Sequence, residues 1–403
     1  MPFVLYVCPN FTSNAVRFID TLSSLPDVRL GLVAQESVVL LPPEIQMRLA
    51  AFRQVTDVFN ADVLTTAGEA LQRENGPIHR ILAAVEGLQV PLALTRARLG
   101  VEGMDAETAQ NFRDKQRMKD LFRKAGLPCA RSKEVQSLKE ATRFADEVGF
   151  PLVVKPPAGA GSLSTFQVGD PAELAAALDQ IPEASALLEE FVVGAEHSFD
   201  TYSLNGKPVF HSLSHYYPNP LEAMREPWIQ WQVLLPREVL APAYDDIRDA
   251  AFKALDCLGM HTGISHMEWF RRPDGSLAIS EVAARPPGAQ FTTLMSRAFD
   301  FDAIGAWARL MIFNAFEPQQ QKYAVGAAYL RGQGKGRVLA VHGLETVQRE
   351  IGPLITDFKI PSIGQEAAGN YEGEGFIILR HPETEVVRQA LSRVVDIVRV
   401  WLG

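Results

Sequence analysis

The chain has 403 residues, 47% hydrophobic and 22% charged, and its 48 Asp and Glu outweigh 39 Lys and Arg to give a net charge of −9. That length provides for two to four domains, and the apolar share excludes a disordered polymer. The acidic balance argues against a life of phosphate-backbone contacts, so no nucleic-acid partner is expected.

The opening run MPFVLYVCPNF is short, lacks a basic leader and stops at Pro9, so it reads as a first strand rather than a leader peptide. Residues 3–7 and 29–33 read as strands, and 14–24 and 44–52 as helices, an alternation that suggests βαβ units on a parallel sheet. A helix over 106–125 follows, closed by Gly126 and Pro128. Beyond it SLKEATRFADEVG and PAELAAALDQI read as helices, PLVVK and SALLEEFVV as strands, in a mixed α+β region that reaches about residue 313. After residue 323, the strand-like runs AVGAAYL, GRVLAV and GFIILRH are separated by glycine-rich turns. Val387, Leu391, Val394 and Val398 stand at helical spacing in a final helix over 385–402. Boundaries fall near residues 105 and 320, giving segments 1–105, 106–320 and 321–403. No apolar run approaches the ~18–20 residues that span a bilayer, so no membrane partner is expected. Cys8, Cys129 and Cys257 are too few and too scattered for a disulfide framework or a zinc knuckle, which suits a reducing cytoplasm.

Familiar nucleotide and hydrolase motifs are missing. There is no GxxxxGK[ST], GxSxG or HExxH, and the nearest approach to GxGxxG, Gly159-x-Gly161, meets Ser164 where the last glycine belongs. Three other segments carry chemistry. Lys155 ends a strand and leads into PPAGAGS, a cation beside a small-residue loop that can surround phosphates, or a plain turn with a solvated lysine. LLEEFVVGAE runs from strand to glycine turn with Glu189, Glu190 and Glu196, either a nucleotide-reading hinge or a solvent-facing strand end. HMEWFRRPDGSLAISEVAARPPG reads as a hairpin around PDG. Its Glu268 and Glu281 sit among apolar neighbours, where a carboxylate is costly unless paired or metal-bound. Two hard oxygen ligands suit Mg²⁺, and Arg285 follows Glu281 closely enough to reach the same cavity.

In this order and spacing, together with Asp114-Lys115 ahead of Gly-Leu-Pro, these segments resemble the ATP-grasp superfamily over most of the chain. The resemblance implies three parts: a pre-ATP-grasp parallel-sheet domain, a two-lobed ATP-grasp core, and a C-terminal mixed domain similar to that of biotin carboxylase. It implies that Lys115 and Lys155 contact ATP phosphates under a loop containing Gly159, Gly161 and Ser162. Glu189 would accept from the adenine amine, the main chain of Val192 would contact the ring, and Glu196 would hold the ribose. Glu268 and Glu281 would bind Mg²⁺, with Mn²⁺ as a second candidate, and Arg285 would stabilise the reacting acyl centre. Many such enzymes carry Glu-x-Asn-x-Arg. Here Ala283 replaces the Asn, supplies no ligand and leaves that contact to water or phosphate oxygen.

The Glu-x-Ala-Ala-Arg form resembles L-amino-acid ligases, which implies ATP-dependent joining of a small carboxylate and an amine, both amino acids, through an acyl phosphate. A homodimer is admitted. His215 and Arg225, in the stretch 212–232, and Gly288 and Ala289, after Arg285, are expected to line the substrate pocket. Ala289 stands where a dipeptide-forming relative can carry Trp, an opening for a larger carboxylate donor. A ligase of other carboxylates or amines, and a nucleotide-binding sensor without catalysis, are the competing readings.

Overall fold

A strand with an apolar residue at every position needs cover on both faces, and FVLYVC is such a strand. The computed structural model describes residues 1–158, 165–181, 184–226 and 229–403. In it β1 (Phe3–Cys8), β2 (Arg29–Ala34), β3 (Ala51–Gln54) and β4 (Ile78–Leu82) form a parallel sheet in the order β3-β2-β1-β4. Alternate side chains of β1 serve opposite cores. Val4, Tyr6 and Cys8 pack with the helix Ser13–Ser23, and Phe3, Leu5 and Val7 with the helices Ala61–Asn75 and Gln89–Leu99.

Two expectations for this half are corrected. The segment 44–52 is not one helix: Pro43–Arg48 is helical, Leu49 turns extended, and 51–54 pairs with β2, where ladder bonds win over the helical pattern. The stretch 106–125 is two helices, Ala106–Arg113 and Lys115–Lys124. Asp114 has extended backbone, ends the first and caps the second by accepting from the Arg117 N–H at 2.9 Å.

A second, antiparallel sheet joins β5 (Ser132–Val135), β6 (Leu152–Lys155), β7 (Phe166–Val168) and β8 (Ala186–Glu190) in the order β5-β8-β6-β7. Helices Leu138–Val148 and Pro171–Leu178 cover it. The remaining strands are β9 (Ala195–Leu204), β10 (Lys207–Tyr217), β11 (Gln232–Leu235), β12 (Gly263–Arg271), β13 (Leu277–Ala283) and β14 (Ala324–Leu330). After them come β15 (Gly332–Gln333), β16 (Val338–His342), β17 (Ile355–Lys359), β18 (Gly375–His381) and β19 (Arg399–Leu402). Eight form one antiparallel sheet, β13-β12-β9-β10-β11-β14-β18-β17, and a small sheet has the order β15-β19-β16.

The large sheet runs across the boundary expected near 320, because β14 pairs with β11 on one side and β18 on the other. The final helix stops at Ile397, short of the expected end, and the next residues become β19 through pairing with β15 and β16. Its stripe of Val387, Leu391 and Val394 is buried as the spacing predicts. Among the described residues no helix is long and apolar enough to cross a membrane.

Candidate active site

The large sheet, the β5–β8 sheet and the loop after β4 enclose a cavity of about 620 Å³. Strand alternation aims the side chains: in β12, Met267 and Trp269 point into a core with the helix Asp245–Leu258, while His266 and Glu268 face the cavity. Lys115, Lys155, Glu189, Val192, Glu196, Glu268, Glu281, Arg285, Gly288 and Ala289 all line it. Gly159, Gly161 and Ser162 lie outside the described residues. The hinge at 191–194 forms part of the wall, and Gly194 is required there, since a Cβ would stand 2.5 Å from the Arg271 carbonyl oxygen.

Buried charges alternate in sign across the cavity. Lys119 Nζ lies 3.1 Å from Glu189 Oε1, and Lys155 Nζ lies 3.0 Å from Glu189 Oε2 and 3.9 Å from Glu281 Oε2. Lys115 Nζ closes the series 3.2 Å from the same Glu281 oxygen. Burial opposes the charge on Lys155, but Glu189 and then Glu281 outweigh it and raise its pKa. Burial also works against the Glu281 carboxylate, yet Lys115 and Lys155 hold its pKa down at about 2. Glu189 is likewise held down by Lys119 and Lys155 against its burial. Lys119, fully buried, goes the other way: burial exceeds the pull of Glu189 and lowers its pKa.

Because both Glu189 oxygens face lysines, its side chain is engaged in holding Lys155. The adenine-amine role drawn from the family would draw on the same carboxylate. Lys119 escaped the sequence reading, although a signal exists. It is four residues after Lys115, and Lys115, Met118, Lys119 and Phe122 are the buried residues of their helix.

Glu268 and Glu281 are direct partners across the β12–β13 ladder. Two carboxylates held opposite each other are unfavourable unless cations lie between them. Glu268 has His266 Nε2 at 3.8 Å, and His266 is itself bound through Nδ1 to Asp200 at 2.6 Å. The Glu196 carboxyl is pushed well above the usual carboxylate range by burial and then by Glu268 and Glu281. This local excess of hard oxygen donors fits a divalent cation such as Mg²⁺. Among the described residues no group of three or more His, Cys, Asp or Glu side chains forms a metal shell. Glu268 and Glu281 would therefore share an ion with water or ligand oxygens. Ala283 stands opposite His266 in the same ladder and contributes only a methyl.

Arg285 is 3.3 Å from Glu86, whose other carboxylate oxygen accepts from Arg113 at 2.7 Å. Glu86 is buried, follows β4 and lines the cavity, as do Tyr371 and Glu372 from the C-terminal part. None of these stood out in the sequence; they reach the site through tertiary packing alone.

Two expected substrate contacts are corrected. His215 is not on the cavity: it alternates with Tyr216, which is, and so faces away. There it meets His197, Nδ1 to Nδ1, at 2.9 Å, and its Nε2 lies 3.0 Å from the Tyr244 hydroxyl. Arg225 reaches outward and donates to Gln167 Oε1 at 2.7 Å. The stretch 212–232 meets the cavity instead through Tyr216, Asn219, Pro220, Leu221 and Trp231.

Residues 148–294 match the profile of an ATP-grasp domain. The chain is 25% identical over 233 residues to an L-arginine-specific L-amino acid ligase of Bacillus subtilis, covering 56% of this chain and 55% of that protein. It is 25% identical over 272 residues to an alanine–anticapsin ligase of Bacillus subtilis strain 168, covering 62% and 53%. It thus spans about half the length of these curated relatives. The crystal structure of an L-amino acid ligase from Bacillus licheniformis shares the fold, with a TM-score of 0.82 and 17% identity over 100% of this chain and 99% of that one.

Proposed function

We propose, from the premise that this chain carries an ATP-grasp domain, that it is an ATP-dependent carboxylate–amine ligase. It joins two small molecules by an amide or peptide bond through an acyl phosphate, releasing ADP and phosphate. The observation that carries this reading is the convergence of Lys115, Lys155, Glu268, Glu281 and Arg285 on one cavity. Amino acids are the substrates we favour for both positions, since relatives that match the chain are named as amino-acid ligases.

The substrate carboxylate attacks the γ-phosphate, and the amine then displaces phosphate from the activated acyl group. Such a transfer needs little covalent help, so positioning and charge neutralisation supply most of the rate. Lys115 and Lys155 receive phosphate oxygens, and Glu189 keeps Lys155 aimed. The hinge main chain at Val192 takes the adenine, and Glu196 the ribose. Glu268 and Glu281 would hold Mg²⁺, or Mn²⁺ as the second candidate, which when bound offsets charge on the phosphates. Arg285, steadied by Glu86, faces the oxygen that gains charge as the acyl centre is attacked. The scattered cysteines, unpaired in the fold, suit a cytoplasmic setting.

A screen of paired carboxylates and amines, read by ADP release and product mass, tests this. ADP release that needs both partners and yields their condensed mass supports the ligase. Nucleotide binding without ADP release for any pair refutes it and leaves a sensor.

A further inference from the structure

Beside the catalytic cavity lies a second chamber of about 880 Å³, formed by the start of the helix Ser13–Ser23, the helix Phe291–Phe299 and strands β17 and β18. Asn14 and Glu372 line both spaces, so the two adjoin. Between them runs the turn Ala289-Gln290. Ala289 lines the inner cavity and Gln290 the outer chamber, with φ of 46° and 63°. Two consecutive non-glycine residues in left-handed backbone cost free energy, and such strain persists where the surroundings over-determine it, ligand clamps among them. The buried Tyr329 hydroxyl donates to the Ala289 carbonyl and helps pin the turn.

Arg17 occupies the outer side. Its Nη1 donates to Gln290 Oε1 at 3.3 Å and its Nη2 to Thr293 Oγ1 at 2.9 Å, both neutral acceptors. Of the acids nearest to it, Asp357 is committed to Arg297 by two bonds of 2.7 Å, and Asp302 forms no ion pair with Arg17. A guanidinium stays charged, and its planar fork matches a carboxylate. One is therefore offered a place here, one residue away from the reacting cavity.

We infer that Arg17 reads a free carboxylate on the amine-donating substrate, which makes that substrate an α-amino acid or peptide whose amine passes the 289–290 turn into the inner cavity. This rests on the ligase reading above.

The test compares L-amino acids with their α-amides as amine donors, in wild type and in Arg17→Gln, which keeps an amide donor toward Gln290 and Thr293 but removes the charge. Wild type should show a KM for the acid about 10- to 100-fold below that for the amide, the range of a hydrogen bond to a charged group. Arg17→Gln should erase that preference with the KM for ATP unchanged, and Arg17→Lys should restore part of it. An equal rise for acid and amide in Arg17→Gln would make Arg17 a structural prop and overturn the inference. A wild type indifferent to the carboxylate would overturn it as well, whether or not the variant folds. If no substrate pair releases ADP, the ligase reading fails. Direct titration of the same acids and amides into the protein then decides this site: preference for acids that vanishes in Arg17→Gln upholds it, and no preference overturns it.

Discussion

The two faces of strands β9, β10 and β12 treat their histidines in opposite ways. Toward the cavity, burial works against a charged His266, yet Asp200 at 2.6 Å prevails and raises its pKa to about 9. On the reverse face, His197 and His215 are pushed down to about 3 and about 4, chiefly by burial. His266 and His197 are equally buried on the paired strands β12 and β9, so depth in the fold does not separate the two behaviours. The partner does: burial neutralises His197 and His215, and Asp200 keeps the charge on His266.

The sharpest way to break that contrast is Glu281→Gln, nearly isosteric, which removes the carboxylate that Lys115 and Lys155 both face. ADP release should fall below detection in a variant whose far-UV circular dichroism matches that of wild type; ordinary turnover at ordinary Mg²⁺ would remove the cavity face from the mechanism. Next in size is Arg285→Ala, expected to lower kcat by about 10²–10³-fold with little change in the KM for ATP. A defect confined to ATP affinity would move Arg285 to the nucleotide. Third, Lys119→Met leaves Glu189 with Lys155 alone, and breaking one buried ion pair costs roughly 3–5 kcal/mol, measurable by urea unfolding. A loss well under 1 kcal/mol would show that alternating charge is not what holds this face.

The smallest effect belongs to the reverse face. The folded pKa values of His197 and His215 lie below the unfolded value of about 6.5, so their contribution is full above pH 6.5 and is lost as pH falls toward 4. At pH 5.5 each costs on the order of 1 kcal/mol, and His215→Phe should flatten the stability slope between pH 6.5 and 4. His266, raised instead, gives its full contribution below 6.5 and loses it as pH climbs through 9, adding no slope on the acid side. The depressed Glu281 matters only below its unfolded value of about 4.3, as pH falls toward 2. An unchanged slope in His215→Phe would end the contrast between the faces.

The cavity was legible where local rules govern it. A strand period of two puts Glu268 and Glu281 among apolar neighbours on one hairpin, and a charged residue at such a position announces itself. Lys155 at the end of an apolar strand did the same. Glu86 did not, because its role exists only when β4 is brought against Arg285, 199 residues away in sequence. His215 misled because a residue type suited to substrate carries no information about which face of β10 it takes; Tyr216 beside it had the better claim. In the fold, alternating strands and helices of the first sheet were readable. The helix break at Asp114 was hidden inside a continuous pattern, and β19 depends on partners far along the chain that override the local helical stripe.

The eight-stranded sheet has a consequence for modularity. A recombination junction or an expression fragment ending near residue 320 would strip β14 from β11 and leave the edge of Gln232–Leu235 open, with unpaired N–H and C=O groups inviting aggregation. It would also take Val325, Ala327 and Tyr329 out of a core they share with the first helix and with the helix Phe291–Phe299 behind the turn at Ala289. The segment that follows the β12–β13 hairpin is therefore no detachable accessory. Shuffling it, in evolution or in cloning, means opening the sheet through its middle.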